Sequence, residues 1–351
     1  MHKTTLITGG AGYIGSHTVL TLMDAGHSVV VLDNLCNSCR ESINRLEQLT
    51  HSNVDFIEGD VRDTQLLDEI FAAYDIDAVM HFSSLKSVAE SVRKPLEYYA
   101  NNVAGTLNLC QAMARAQVFT LVFSSSATVY GDPAHSPIAE DLGTGHPVTP
   151  YGRSKLMIEE LLQDLALSEP RWSIALLRYF NPIGAHESGL IGEAPQGRPN
   201  NLLPCLTQVA TGQVPELTVF GNDYPTVDGT CVRDYIHVVD VAEGHLKALQ
   251  MLQYSPGINI WNLGTGTGYS VLQIIHSFED VTGIRIPYHF APRRAGDIAQ
   301  CWADPSKAER DLGWHAKRNL EQMIVDTWRW QSSNPFGYQS RPTLPVAMAM
   351  K

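Results

Sequence analysis

Short apolar runs alternate with longer stretches of mixed polarity through the first half of the chain. Residues 4–8, 29–33, 54–57, 78–82, 120–124 and 174–178 are rich in Val, Ile, Leu and Phe and barely alternate in polarity. That is the pattern of strands covered on both faces. Between them, residues 13–25, 65–74, 96–116 and 151–167 read as helices. Strand–helix alternation of this kind predicts an α/β fold of Rossmann type, a doubly wound parallel sheet. After residue 180 the texture changes. Pro182, Gly184, Gly189, Gly192, Pro195, Gly197 and Pro199 punctuate the chain and favour loops. Residues 232–241 and 258–263 read as strands again, returning to the first lobe. The expected division is a first domain over 1–180 with returning segments near 233–264, a smaller discontinuous α/β domain within 181–340, and a tail over 341–351.

Composition narrows the class. With 351 residues, 44% hydrophobic and 18% charged, the chain can bury a sizeable core in two lobes. No apolar run approaches the roughly 18–20 residues of a membrane span. Met1-His2-Lys3 leads straight into the first apolar run, so no secretory signal is expected. A formal net charge of −12 argues against nucleic acid and anionic membranes as partners. An acidic protein that binds an anion must gather a few Arg or Lys residues locally. The six cysteines lack disulfide-framework spacing, and a reducing cytoplasm is the expected setting. Cys36-Asn37-Ser38-Cys39 has C-x-x-C spacing, but no second pair or pair of histidines completes a zinc site, so no metal is expected.

The first run ends in Gly9-Gly10-Ala11-Gly12-Tyr13-Ile14-Gly15. Gly9, Gly12 and Gly15 form G-x-x-G-x-x-G between a strand and a helix. Such a turn lets backbone approach a pyrophosphate and packs the helix tightly on the strand. The helix start offers free N–H groups to phosphates. Asp33 closes the next strand, eighteen residues beyond Gly15. A carboxylate there bonds ribose hydroxyls and repels a 2′-phosphate, which favours NAD over NADP. Asp60 ends the third strand similarly and can either reach the adenine or serve an ordinary turn.

Tyr151-Gly152-Arg153-Ser154-Lys155 puts a phenol and an ammonium one helical turn apart. A free phenol titrates near 10 and is a poor base at neutral pH, but a nearby cation favours its phenolate. Val122-Phe123-Ser124-Ser125-Ser126 ends another strand in hydroxyls, at the sheet end where parallel sheets place their sites.

With these residues the chain resembles the extended short-chain dehydrogenase/reductase family, and within it the sugar-nucleotide 4-epimerases. The resemblance runs from about residue 4 to 338. It is carried by stretches 8–17, 33–38, 124–132, 150–155, 178–186, 199–203, 220–224 and 233–240. It implies interconversion of UDP-glucose and UDP-galactose through transient oxidation at C4 by tightly held NAD. Tyr151 would be base and acid, Lys155 its activator, and Ser126 an aid at the sugar's 4-oxygen. Besides the three glycines, the NAD contacts implied are Tyr13, Ile14, Asp33, Asn34, Asn37, Ser38, Asp60, Val61, Phe82, Lys86, Asn101, Ser126, Tyr151, Lys155 and Phe180. Those implied for the UDP-sugar are Ser126, Tyr151, Asn181, Asn201, Leu202, Thr218, Phe220, Arg233, Tyr235, Arg294, Asp297 and Cys301. The resemblance also implies a homodimer, paired through the helices over 96–116 and 151–167, with Leu107, Leu109 and Met113 as candidate contacts; the same residues equally suit a helix face that covers the sheet.

Two features depart from the family's pattern. Phe82-Ser83-Ser84 stands where Phe-Ala-Gly is common, adding two hydroxymethyl groups near the cofactor. Cys301 stands where members confined to plain hexoses commonly carry a tyrosine, which implies room for N-acetylated sugars. Dehydratases and decarboxylases of the family are the alternative reading. They carry acidic residues after the serine strand, where this chain has Ala127 and Thr128, side chains that cannot shuttle protons at neutral pH. A non-enzymatic NAD-binding scaffold on the same fold is the other, set against the presence of both Tyr151 and Lys155.

Overall fold

The computed structural model describes residues 3–133, 135–197, 199–294 and 296–339. The expected tail over 341–351 lies outside the described residues. Six strands follow one another in the first half: β1 (Thr4–Thr8), β2 (Ser28–Asp33), β3 (Asp55–Glu58), β4 (Ala78–His81), β5 (Thr120–Ser124) and β6 (Ser173–Tyr179). Short strands come next: β7 (Asn181–Ile183), β8 (Leu217–Phe220), β9 (Val232–Arg233) and β10 (Tyr235–His237). Then follow β11 (Gly257–Leu263), β12 (Tyr269–Ser270), β13 (Tyr288–Ala291) and β14 (Gln300–Cys301). Seven of these form one parallel sheet in the order β11-β6-β5-β4-β1-β2-β3. The chain winds outward from β1 to β3, then crosses back to β4. Between the carboxyl ends of β1 and β4 lies the switch point where such sheets bind ligands.

Near-continuous apolarity has its cause in two covers. Ile7, Val29, Val31, Met80 and Val122 face one core, shared with α1 (Tyr13–Asp24), α2 (Arg40–Thr50) and α9 (Val238–Met251). Leu6, Val30, Leu32, Val79, Leu121 and Phe123 face the other, shared with α3 (Thr64–Ala73), α6 (Gly105–Arg115) and α7 (Pro150–Ser168). Between α3 and α6 lie α4 (Val88–Arg93) and α5 (Pro95–Tyr98). A third core joins α8 (Leu202–Ala210), α10 (Val271–Thr282) and α12 (Leu320–Ser333) to β8 in the second lobe. The short α11 (Ser306–Leu312) lies back against the first core through Ala308 and Leu312. Among the described residues, no helix is long and apolar enough to cross a membrane.

The observed elements differ from expectation in three places. α2 had no apolar stripe wide enough to notice, since only Ser42, Ile43 and Leu46 of it are buried. Residues 232–241 are not one strand but β9, β10 and the first turn of α9. Val238, Val241, Ala242, His245 and Leu249 are buried at helical spacing, and His237 caps the helix through the Val239 amide at 3.1 Å. The stretch 96–116 is helical almost throughout, but Tyr99–Ala104 winds as a π-helix between α5 and α6. Two of the three dimer contacts expected on it, Leu109 and Met113, are fully buried against the sheet, whereas Leu107 is 41% exposed.

Candidate active site

The glycine turn is closed too tightly for side chains. Gly9 has φ +74°, and a Cβ there would lie 2.7 Å from the Ser83 amide nitrogen. At Gly15 one would lie 2.2 Å from the Gly9 carbonyl oxygen, and at Gly12 3.2 Å from the same atom. Gly12 flanks α1, whose start has no side-chain cap, and the first amides of a helix opening at the carboxyl end of β1 suit an anion. Asp33 is buried. Its carboxylate accepts from the amides of Ala11 (3.0 Å) and Leu35 (2.9 Å) and from the Ser38 hydroxyl (2.7 Å). These bonds tie the acid to the turn itself. A dinucleotide fits this cradle.

Asp60 is engaged otherwise. Arg62 grips it through Nε (2.8 Å) and a terminal nitrogen (2.7 Å), and Asn34 donates at 2.8 Å. The Arg62 guanidinium holds its carboxyl well below the usual range. Asn37 and Ser38 border the segment from the second lobe: Gln196 donates its amide to Asn37 Oδ1 (3.3 Å) and its side chain to the Ser38 carbonyl (2.6 Å). Near the other end, Lys86 meets Glu193 at 3.2 Å and lies 6.0 Å from the Tyr13 ring centre. Tyr13 donates to the Gly184 carbonyl at 2.6 Å. Ile14 and Phe82 pack against the first core, Val61 lies in the second, and Phe180 is buried beside Cys301. Asn101 is buried and donates to Asn102 Oδ1 at 3.0 Å, and Phe82 lies 4.8 Å from the His245 ring.

α7 begins at the carboxyl end of the sheet. Thr149 caps it, accepting from the Gly152 amide at 3.3 Å, and Pro150 fits its first turn. This places Tyr151 beside Ser126. Burial pushes the Tyr151 phenol up, and its bond with the Ser126 hydroxyl works against that shift. Ser126 in turn accepts from the Thr128 hydroxyl at 3.0 Å. Lys155, 2% exposed, donates to the Ser124 carbonyl (2.7 Å) and to the Ser84 hydroxyl (2.9 Å). Burial lowers its ammonium to about 7, opposed by the charge of Glu159.

Behind this pair stands a second layer. Glu159, two turns from Tyr151, pairs with Arg178 on β6 through two bonds of 3.0 and 2.6 Å, and Ser125 donates to it at 2.5 Å. His81 on β4 bridges Thr8 (2.6 Å) and Thr106 (2.9 Å), and burial lowers its imidazole to about 3, so it is neutral. Asn102, within the π-helical turn, holds the Leu85 amide (2.8 Å) and carbonyl (3.1 Å) and the Ser154 hydroxyl (3.0 Å). A π-helical turn at a site of this kind re-aims such a side chain.

The residues expected to meet the sugar nucleotide lie in or near the second lobe. Asn181 on β7 is paired with Tyr235 on β10, and its amide donates to the Asp234 carbonyl at 3.0 Å. Asn201 precedes Leu202 at the start of α8 and donates to Glu193 at 3.0 Å. Thr218 and Phe220 lie on β8, and the Arg294 guanidinium sits 4.8 Å from the Phe220 ring while bonding Asp297 at 3.0 Å. Burial pushes the Tyr235 phenol up, and the charges of Arg233, Arg294 and Asp297 all reach it. Both arginines thus lie within electrostatic reach of one phenol, and guanidinium groups gathered locally are what an anion site in an acidic protein requires. Cys301 pairs with Arg233 across β14 and β9 and is buried with Val129, Tyr130, Ile138, Phe180 and Ala303. Burial pushes its thiol up to about 11, which leaves it inert.

The pattern of the NAD dependent epimerase/dehydratase family matches residues 5–264. The chain belongs to that family. A UDP-glucose 4-epimerase of Bacillus subtilis (strain 168) is 58% identical over 335 residues, covering 95% of this chain and 98% of that protein. The crystal structure of UDP-glucose 4-epimerase from Bifidobacterium longum in complex with NAD+ and UDP matches at 50% identity and TM-score 0.93. It covers 95% of this chain and all of that one. The enzyme from Stenotrophomonas maltophila, with bound NAD and formylated UDP-arabinopyranose, matches at 51% identity and TM-score 0.92, over 95% and 99% of the two chains.

Family membership sharpens what the sequence left unseen. Glu159, Arg178, Asn102, His81, Glu193 and Gln196 all support the site and were not expected there. One signal was available: Arg178 is a lone charge in the apolar run Ser-Ile-Ala-Leu-Leu-Arg-Tyr, and a buried arginine demands an acid. Asn102 and Gln196 gave no signal, because their partners, backbone and side chain alike, are brought to them by the fold rather than by spacing along the chain. After Ser126, Ala127 and Thr128 form a 3-10 turn, and neither carries a carboxyl group.

Proposed function

We propose that the chain is a UDP-glucose 4-epimerase that interconverts UDP-glucose and UDP-galactose with a tightly held NAD. The observation that carries the reading is Tyr151 set beside Ser126, with Lys155 one turn on and fixed by the Ser124 carbonyl, at the carboxyl end of the sheet beside the glycine cradle. Bound NAD supplies a hydride acceptor at the start of each cycle and the donor at its end. Tyr151 takes the proton of the sugar's 4-hydroxyl and later returns it. Lys155 favours the phenolate that this needs, and Ser126 bonds the same oxygen. Arg233 and Arg294 hold the diphosphate, so the 4-keto sugar can turn over while its anchor stays in place. Because the proton and hydride both return, no external cofactor is consumed.

Purified protein should epimerise UDP-galactose without added NAD. Tyr151→Phe should keep its fold and bound NAD yet lose about 10²–10⁴-fold in turnover. A strict requirement for added NADP, or near-normal Tyr151→Phe, would overturn the assignment.

Two finer readings belong here. The Cys301 thiol, buried beside Phe180, fills far less space than a tyrosine ring, and we infer that this smaller side chain lets the pocket admit an acetamido group. UDP-N-acetylgalactosamine and UDP-N-acetylglucosamine should then interconvert as well. The groove between α6 and α7, lined by Leu107, Ala114, Leu161 and Leu165, is the face we assign to a second copy in a homodimer. Sedimentation at micromolar concentration checks it, and Leu161→Glu should shift the protein to monomer.

A further inference from the structure

We propose that Ser84 is a positioning residue for Lys155, its hydroxyl fixing the ammonium in the orientation that serves Tyr151. The inference rests on the reading of Lys155 as the cation behind the Tyr151 phenolate. An ammonium has three N–H donors. Two are taken by the Ser124 carbonyl (2.7 Å) and the Ser84 hydroxyl (2.9 Å), with the Phe123 ring centre 4.8 Å away. One direction is left for the reacting groups. A lysine held by a single acceptor would swing about it, because the side chain is flexible and its head is a point charge.

Ser84 is itself held at both sides. Phe82 and Ser83 pack against Gly9 so closely that no side chain fits between them. Leu85 is gripped at its amide and carbonyl by Asn102, which also bonds Ser154, the residue before Lys155. One side chain thus fixes the distance between the loop that presents the hydroxyl and the helix that presents the ammonium. Such double restraint is what a preorganised donor–acceptor pair needs.

No charged neighbour can take over the role. On α7, Glu159 is occupied by Arg178 and Ser125, and Tyr151 is a neutral phenol beside Ser126, pushed up by burial. On β4, His81 is neutral and bonded to Thr8 and Thr106. On β6, the Tyr179 phenol bonds the Ser124 hydroxyl and is pushed up by burial. Among the described residues the ammonium is bonded by neutral acceptors, of which Ser84 is the one supplied by a side chain.

The test compares NAD-loaded wild type, Ser84→Ala and Ser84→Thr between about pH 6 and 9. Two quantities are read: kcat and KM for UDP-galactose, and the phenolate ultraviolet titration of Tyr151, isolated by subtracting the matching Tyr151→Phe protein. Ser84→Ala should lower kcat on the order of tenfold, the worth of a hydrogen bond to a charged group, with KM within about twofold. It should also raise the pH at which the Tyr151 phenolate appears by at least ~0.5. Ser84→Thr, which keeps the hydroxyl, should restore both. An unchanged titration in Ser84→Ala, or equal losses in the alanine and threonine variants, overturns the proposal. The titration needs no substrate. Wild type that carries NAD but ignores UDP-galactose sinks the epimerase reading and leaves Ser84 to be judged by the titration.

Discussion

Lys155→Met should make the cofactor-free protein more stable while abolishing its chemistry. Lys155 is 2% exposed, and burial lowers its ammonium from 10.5 to about 7. A gap of that size is worth ~5 kcal/mol of folding free energy at pH 6, where a charged group must be carried into the interior. The unfolded chain binds the extra proton between pH 7 and 10.5, so wild-type stability rises with pH across that window. Methionine carries no charge and fills similar space. Its cost is the Ser124 carbonyl and the Ser84 hydroxyl left without the Lys155 donor, ~1–3 kcal/mol in all because the hydroxyl can turn to another partner. The charge term wins at low pH: the variant should be ~2–4 kcal/mol more stable at pH 6. By pH 9 only ~2 kcal/mol of the wild-type penalty remains, and the two proteins should converge. Urea unfolding of NAD-free protein at both pH values reads this directly, since bound NAD would add its own stabilisation to whichever form binds it better. A methionine variant that is less stable at pH 6, or whose advantage does not change with pH, refutes the reasoning. The general point is that the site holds a destabilising charge for the sake of catalysis.

Three further outcomes follow from the geometry. Arg178→Met leaves Glu159 buried with only the Ser125 hydroxyl and should destabilise by about 3–5 kcal/mol in urea unfolding, whereas replacing both partners by apolar residues should cost far less. Asp33→Asn turns one of the two acceptor oxygens facing Ala11, Leu35 and Ser38 into a donor, and NAD retention after gel filtration should fall by at least tenfold, on the order of one strong hydrogen bond. Cys301→Tyr should suppress turnover of the N-acetylated sugars while sparing UDP-galactose, and equal activity on both sugar pairs in the variant would count against the assigned role of that position.

Much of the sheet was legible because burial on both faces leaves unbroken apolar runs. The expected strands over 4–8 and 120–124 coincide with β1 and β5, and 258–263 lies within β11. Periodicity failed where tertiary contacts decide. α2 is polar on most of its surface, and the valines over 238–241 suit a strand locally but are buried at helical spacing against the first core. Leu109 and Met113 suited either a dimer contact or the cover of the sheet, because a sequence does not say which stripe of a helix faces inward; the structure puts both against the sheet. The reacting pair and the cradle were visible as local spacings. Their supports were not, since Ser84 reaches Lys155 across 71 positions and Gln196 reaches Ser38 across 158.

The pairing of β11 with β6 has a consequence for how the chain is made. All seven residues of β6 are buried, and its outer edge is covered by a strand that begins at Gly257. A ribosome working at about 5–20 residues per second needs roughly 4–17 s to pass from Tyr179 to Leu263. Throughout that interval the nascent first lobe carries a bare, apolar strand edge, the template on which chains join one another. Any product that terminates between residues 180 and 256 keeps that edge for good, so truncated chains should be found in aggregates or on holdase chaperones rather than as free, folded half-proteins.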